Sequence, residues 1–230
     1  MFKKILLLIL TAFTPLSCFA IENTIADEQF VQTHLSSVGA SILNANKIEE
    51  RIIFVYDKTD VKEKLKLDKT LIDRQVIVYG YDYKFIEDDN ELAAFISRKI
   101  AEAFRSYSDF FDGRLSSLQI KAAPKKYQLV FDKIAVDYMV RAGYNPIAMI
   151  TLINKSCPQK RTDKLSSSNL TSKRLAVIYE YIYTKYPYYL LHNEYFKNKH
   201  YQNFLLTSQD NRKMLEEKVR SRSTRELNYE

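Results

Sequence analysis

The chain has 230 residues, a formal net charge of +7, 17 Tyr and 13 Phe, and only four glycines, five prolines and two cysteines. That length supports one domain with its own core, and the shortage of glycine and proline argues against a turn-rich β architecture and for helices. Two cysteines that lie on opposite sides of a predicted leader cleavage exclude a disulfide scaffold.

Residues 1–20 carry the pattern of a secretory signal peptide. Lys3 and Lys4 form a basic start, Ile5 to Leu10 an apolar run, and Cys18-Phe19-Ala20 a small-x-small cleavage site. The apolar run is short for a bilayer span. Cleavage after Ala20 predicts an exported, periplasmic or otherwise extracytoplasmic protein. A lipoprotein acylated at Cys18 is the alternative, disfavoured because no Leu stands three residues before the cysteine. The mature chain of about 210 residues then keeps only Cys157, expected as an inert, partly buried thiol. Loss of Lys3 and Lys4 lowers the charge from +7 to +5. An exported basic protein meets no nucleic acid, so the charge points to a solvated surface, to anionic envelope polymers or to a membrane surface.

Val31, Leu35, Val38, Ile42 and Ala45 recur at helical spacing and predict an amphipathic helix over 27–46. Arg51 to Tyr56 and Gln75 to Tyr79 read as short strands, with the charged stretch Asp60 to Leu67 between them. Asp88 stands three residues before Glu91, a capping-box-like start for a helix whose apolar stripe is Leu92, Phe95, Ile96, Ile100 and Ala103. A second helix is predicted over 125–142, closed by Gly143 in a left-handed C-cap, with Pro146 opening a further helix to Asn154. Residues 157–172 read as a loop, followed by helices over 175–183 and 189–206 separated by Pro187. The mixed-charge end, 212–230, is expected to be a frayed helix or disordered. His34, His192 and His200 are expected at the surface. His192 and His200, eight residues apart in the sequence, lie about two turns apart on a straight helix and cannot chelate as an i, i+4 pair.

Two of these helices carry the strings Glu91-Leu92-Ala93-Ala94 and Asp137-Tyr138-Met139-Val140-Arg141-Ala142-Gly143-Tyr144-Asn145-Pro146. Together they resemble the ELAAVLAHEIAH and ExEADrxAVdYMxrAGYnP blocks of the M-forty-eight zinc metallopeptidases, the family holding HtpX, BepA and the CAAX prenyl protease. The resemblance spans Gln29 to Tyr183 and is strongest from Asp88 to Lys155. It implies an α+β, gluzincin-like fold, mostly helical with a small sheet, over residues 21–207, with 208–230 as a charged tail.

In that register Arg98 and Glu102 stand at the two zinc-binding His of HExxH, Lys99 at the catalytic Glu, Gln128 at the third ligand and Asp132 at a supporting carboxylate. Arginine offers no lone pair to a cation, lysine is no base without an extreme pKa depression, and the Gln128 amide oxygen carries no charge. Active relatives hold zinc; here no catalytic residue, cofactor or metal is expected. Arg98 and Glu102 could pair across the vacated position. Relatives also carry a Thr-His-Pro before a Ser-x-Arg helix start, of which Ser172-Lys173-Arg174 keeps the Ser and Arg only. The Asn-Ala pair and glycine-rich edge strand that clamp substrate are missing from Asp60 to Leu67.

The resemblance therefore implies a pseudo-peptidase that holds a polypeptide client or envelope partner in the old substrate groove, with Ser97 taken as a groove position. The alternatives are a peptidase or other hydrolase with an unrecognised or non-zinc site, and a binder of anionic envelope polymers. Client and oligomeric state are open.

Overall fold

The computed structural model describes residues 27–59, 75–107, 124–160, 170–225 and 227. The predicted leader at 1–20, the stretch Asp60 to Leu67 and the triplet Ser166 to Ser168 lie outside the described residues. In chain order the elements are α1 (27–45), β1 (Ile53–Asp57), β2 (Gln75–Tyr79), α2 (Gly80–Tyr83), α3 (Asp89–Tyr107), α4 (Pro124–Arg141), α5 (Ile147–Ser156), α6 (Leu170–Lys185), α7 (Pro187–Leu191), a 3-10 turn (Glu194–Lys197), α8 (Lys199–Thr207) and α9 (Gln209–Arg220). The architecture is α+β, mostly helical with one small sheet. Among the described residues no helix is long and apolar enough to cross a membrane.

β1 and β2 pair in parallel, Ile53 with Gln75 through Asp57 with Tyr79. The outer edge of β1 is covered by a side chain. Gln32 of α1 donates through Nε2 to the Phe54 carbonyl at 2.7 Å and accepts from the Tyr56 N–H at 2.8 Å. One amide thus takes two of the backbone groups that a further strand would use. Gly39 of α1 lies against the Phe54 ring, where a Cβ would come within 2.3 Å of a ring carbon. The helix approaches the sheet this closely because position 39 has no side chain.

α3 is central and buried on two faces. Leu92, Ala93, Ile96 and Ile100 meet Leu35, Val38 and Ile42 of α1 and Phe54, Val76 and Val78 of the sheet. Ala94 and Ala101 turn instead into a larger helical core with Phe131, Ala135 and Met139 of α4, Ile147 and Ile150 of α5, and Ile178 and Ile182 of α6. The predicted apolar stripe of α3 is therefore half of its buried surface. In α1, Leu35, Val38 and Ile42 are buried as their spacing predicts, while Ala45 is exposed.

Helix ends follow side-chain chemistry. Asp88 Oδ1 accepts from the Glu91 N–H at 2.8 Å, and Glu91 Oε2 accepts in return from the Glu87 N–H at 2.8 Å. The pair forms a capping box displaced by one residue. At the end of α4, Gly143 adopts φ +83°. Its N–H reaches the Val140 carbonyl at 3.1 Å and that of Tyr144 the Met139 carbonyl at 2.9 Å. This is a Schellman closure.

One expectation changes. The single helix predicted over 189–206 is three short pieces, because Asn193 accepts from the Tyr195 N–H and Asn198 from the His200 and Tyr201 N–H groups. Each asparagine caps and so starts a new turn. Of the two alternatives for the tail, a frayed helix or disorder, the structure has a helix, α9, in which Leu215 is buried and Lys218 pairs with Glu180 of α6 at 3.0 Å.

Candidate functional site

α3 and α4 present residues four apart on one face each, which sets Arg98 and Glu102 of the first against Gln128 and Asp132 of the second. The Arg98 guanidinium sits among them. Its Nε donates to Asp132 Oδ1 at 2.9 Å, Nη1 to Glu102 Oε2 at 3.2 Å and Nη2 to Gln128 Oε1. The Phe131 ring centroid lies 5.0 Å from the guanidinium carbon, adding a cation–π contact.

Asp132 is fully buried and is shared by a second cation. Arg174, one turn into α6, donates Nε to Asp132 Oδ2 at 2.7 Å and Nη2 to Oδ1 at 2.9 Å. Burial works to lower the Arg174 pKa, but the charge and hydrogen bonds of Asp132 outweigh it and the net shift is upward. The guanidinium therefore stays charged. One buried carboxylate thus ties α4 to α3 and α6.

Beside this cluster opens a cavity of about 270 Å³. Phe85, Ala94, Phe95, Met149, Leu152 and Ile153 make its apolar walls, and Arg98, Arg174, Lys99 and Glu102 its polar side, with Asp82, Gln128 and Ser156 at the lining. Lys99 extends over Phe95, 5.7 Å from its centroid.

Arg98, Glu102, Gln128 and Asp132, all singled out in the sequence, are joined directly, with Lys99 adjoining them in the cavity wall. The predicted Arg98–Glu102 pair is present, although Asp132 makes the shorter contact with Arg98. Ser97 is not a groove residue: it is fully buried, with no hydrogen-bond partner for Oγ among the described residues, because the face of α3 it occupies turns into the core. Cys157 is exposed, not partly buried, since it follows the last turn of α5. His34 is half-buried and bonds Asp89 at 2.8 Å. His192 caps α7 and stacks on Tyr188 at 4.4 Å, whereas His200 lies in the first turn of α8, so the two are on separate elements.

In the sequence Arg174 stands out only as part of a string, and nothing there connects it to Asp132 on another helix. A buried ion pair at the other end of α3, Lys155 Nζ to Glu91 Oε2 at 2.7 Å, is equally unannounced. An arginine in an otherwise polar stretch opening a helix is a weak signal, and no local feature marks its partner.

These donors do not fit zinc. Each candidate ligand turns an oxygen to Arg98, whose permanent positive charge stands where a cation would have to enter. In comparisons with family models, curated proteins and solved structures, the chain matches none.

Proposed function

We propose that this chain is an exported, catalytically inactive relative of the M-forty-eight zinc metallopeptidases that holds polypeptide clients or assembly partners of the cell envelope in the cavity beside Arg98. On this proposal α3 and α4 are the two site helices of a gluzincin-like scaffold. The observation that carries it is the Arg98 guanidinium enclosed by Glu102, Gln128 and Asp132, with an apolar-walled cavity alongside. The positions that would hold a metal in active relatives are closed by an internal cation, while a cavity able to receive side chains is retained. Strand addition by a client would fall to the β2 side of the sheet, since Gln32 occupies the β1 edge. β2 runs straight into α2, from which Asp82 lines the cavity.

Two measurements on the purified mature protein test this. Unfolded, fluorescently labelled casein should bind without being cleaved. Apolar contacts should keep it bound as the Debye length falls from about 10 Å at about 0.1 M to about 3 Å at about 1 M salt. Ser156→Trp, an exposed position in the lining, should fill the cavity and weaken binding. Binding abolished by salt and indifferent to Ser156→Trp would favour an anionic-polymer binder. The scaffold itself is tested by Arg98→His, Lys99→Glu, Glu102→His and Gln128→Glu together, which should create zinc binding; a folded variant that binds none would count against the register.

A further inference from the structure

The same cavity carries chemistry more specific than a hydrophobic groove. A guanidinium has five N–H donors in a planar fork. Arg174 spends Nε and Nη2 on Asp132 and finds no acceptor for Nη1 among the described residues. Arg98 spends one N–H of each terminal nitrogen on Glu102 and Gln128, and among the described residues the other on each has no acceptor. Both side chains line the cavity and are largely buried, 14% exposed for Arg98 and 22% for Arg174. Asp132 holds them both in place, so their unspent donors are preorganised and their ordering costs little at the moment of binding.

Facing these donors are Phe85, Phe95, Met149, Leu152 and Ile153. The fitting ligand has an apolar body and two acceptor oxygens close to it. We infer that the cavity binds an apolar group bearing a carboxylate, supplied by the C-terminal residue of a polypeptide.

This rests on the proposal of a polypeptide site and narrows it. A carboxylate matches the guanidinium fork with two parallel hydrogen bonds. A single negative charge also suits a wall where Arg98, Arg174 and Lys99 stand beside Glu102, Asp82 and Asp132, and a dianion would meet those carboxylates at greater cost. Size points the same way. The cavity measures about 270 Å³. Small-ligand pockets start at about 300 Å³, so the volume suits one large residue. In a C-terminal residue the carboxylate and the side chain branch from one Cα, so both can enter together, while an internal residue would have to bring two chain directions through the opening.

Binding of a fluorescent peptide ending in leucine, as the free acid and as the C-terminal amide, tests the inference on the mature protein. The free acid should bind at least about tenfold more tightly than the amide, the usual scale of a charge-assisted hydrogen bond. Arg174→Gln, which leaves Asp132 paired with Arg98, should bring the acid down towards the amide, and Ser156→Trp should weaken both. If Arg174→Gln fails to fold, the acid-to-amide ratio of the unaltered protein still decides. Equal affinity for acid and amide would overturn the inference and leave the polypeptide site standing. A medium-chain fatty acid that binds through Arg174 while both peptides fail would move the apolar carboxylate to a lipid source and overturn the inference. If peptides and fatty acid all fail, the inference alone falls, because unfolded casein measures the proposal beneath it.

Discussion

Arg174 grips Asp132 through both carboxylate oxygens, at 2.7 and 2.9 Å, and the carboxylate has no exposure to solvent. Arg98 reaches the same group from α3 at 2.9 Å. A buried carboxylate survives only where such donors replace water, and here they come from two other helices. Asp132→Ala would leave two largely buried guanidiniums without their shared partner. It should lower unfolding stability by about 3–5 kcal/mol, the usual cost of breaking a buried pair from one side. Arg174→Gln should cost less, since Arg98 still satisfies Oδ1. Urea unfolding followed by circular dichroism measures both; an Asp132→Ala loss below about 1 kcal/mol would rule out Asp132 as the tie between the helices.

At the opposite end of α3, Glu91 is fully buried, with both oxygens hydrogen-bonded. Oε2 accepts from Lys155 Nζ at 2.7 Å and from the Glu87 N–H at 2.8 Å, and Oε1 accepts from Thr151 Oγ1 at 3.0 Å. The Lys155 side chain is 3% exposed and also reaches the exposed Glu87 at 2.8 Å. Lys155→Met should destabilise by about 3 kcal/mol because it leaves the Glu91 charge buried without its cation. Adding Glu91→Gln removes that charge, and the double variant should regain part of the loss. A double-mutant cycle on denaturation midpoints reads the coupling, and strict additivity of the two single losses would refute a direct charge pairing.

What can be read in the sequence is local. Gln75 to Tyr79 is a short run rich in β-branched residues and forms β2 over those same residues, with Val76 and Val78 buried. Gly143 is identifiable because only a residue free of a Cβ enters the left-handed region at no steric cost after a helix. The Arg98–Glu102 pair is legible from i, i+4 spacing. What escapes is long-range or competitive. Asp132 and Arg174 meet only once α4 and α6 pack, and no periodicity encodes that. The Tyr-rich run after Pro187 keeps a helical apolar pattern, yet Asn193 and Asn198 bind backbone N–H groups and win locally over continuation. Ser97 misleads because polarity alone suggests exposure, whereas a small hydroxyl fits a face of α3 that packs inside.

His200 provides a titration test of the α5–α8 contact. Partial burial, reinforced by the nearby Lys155 and Lys199 charges, holds its pKa below the ordinary 6.5, with Glu87 opposing. The unfolded chain therefore takes up the proton first as pH falls, and linkage fixes the sign. The stability contributed by neutral His200 is fully present above about pH 6.5, is lost progressively as pH falls towards the lowered folded value, and changes little below that. The ring can be replaced without removing the helix cap, because Asn198 accepts from the backbone N–H of His200 and Asn154 donates to its carbonyl. His200→Gln should accordingly flatten part of the fall in urea midpoint between about pH 7.5 and about pH 5.5. If the two proteins instead lose stability in parallel over that interval, His200 keeps an ordinary pKa in the folded chain and the crowding by Lys155 and Lys199 has no energetic effect.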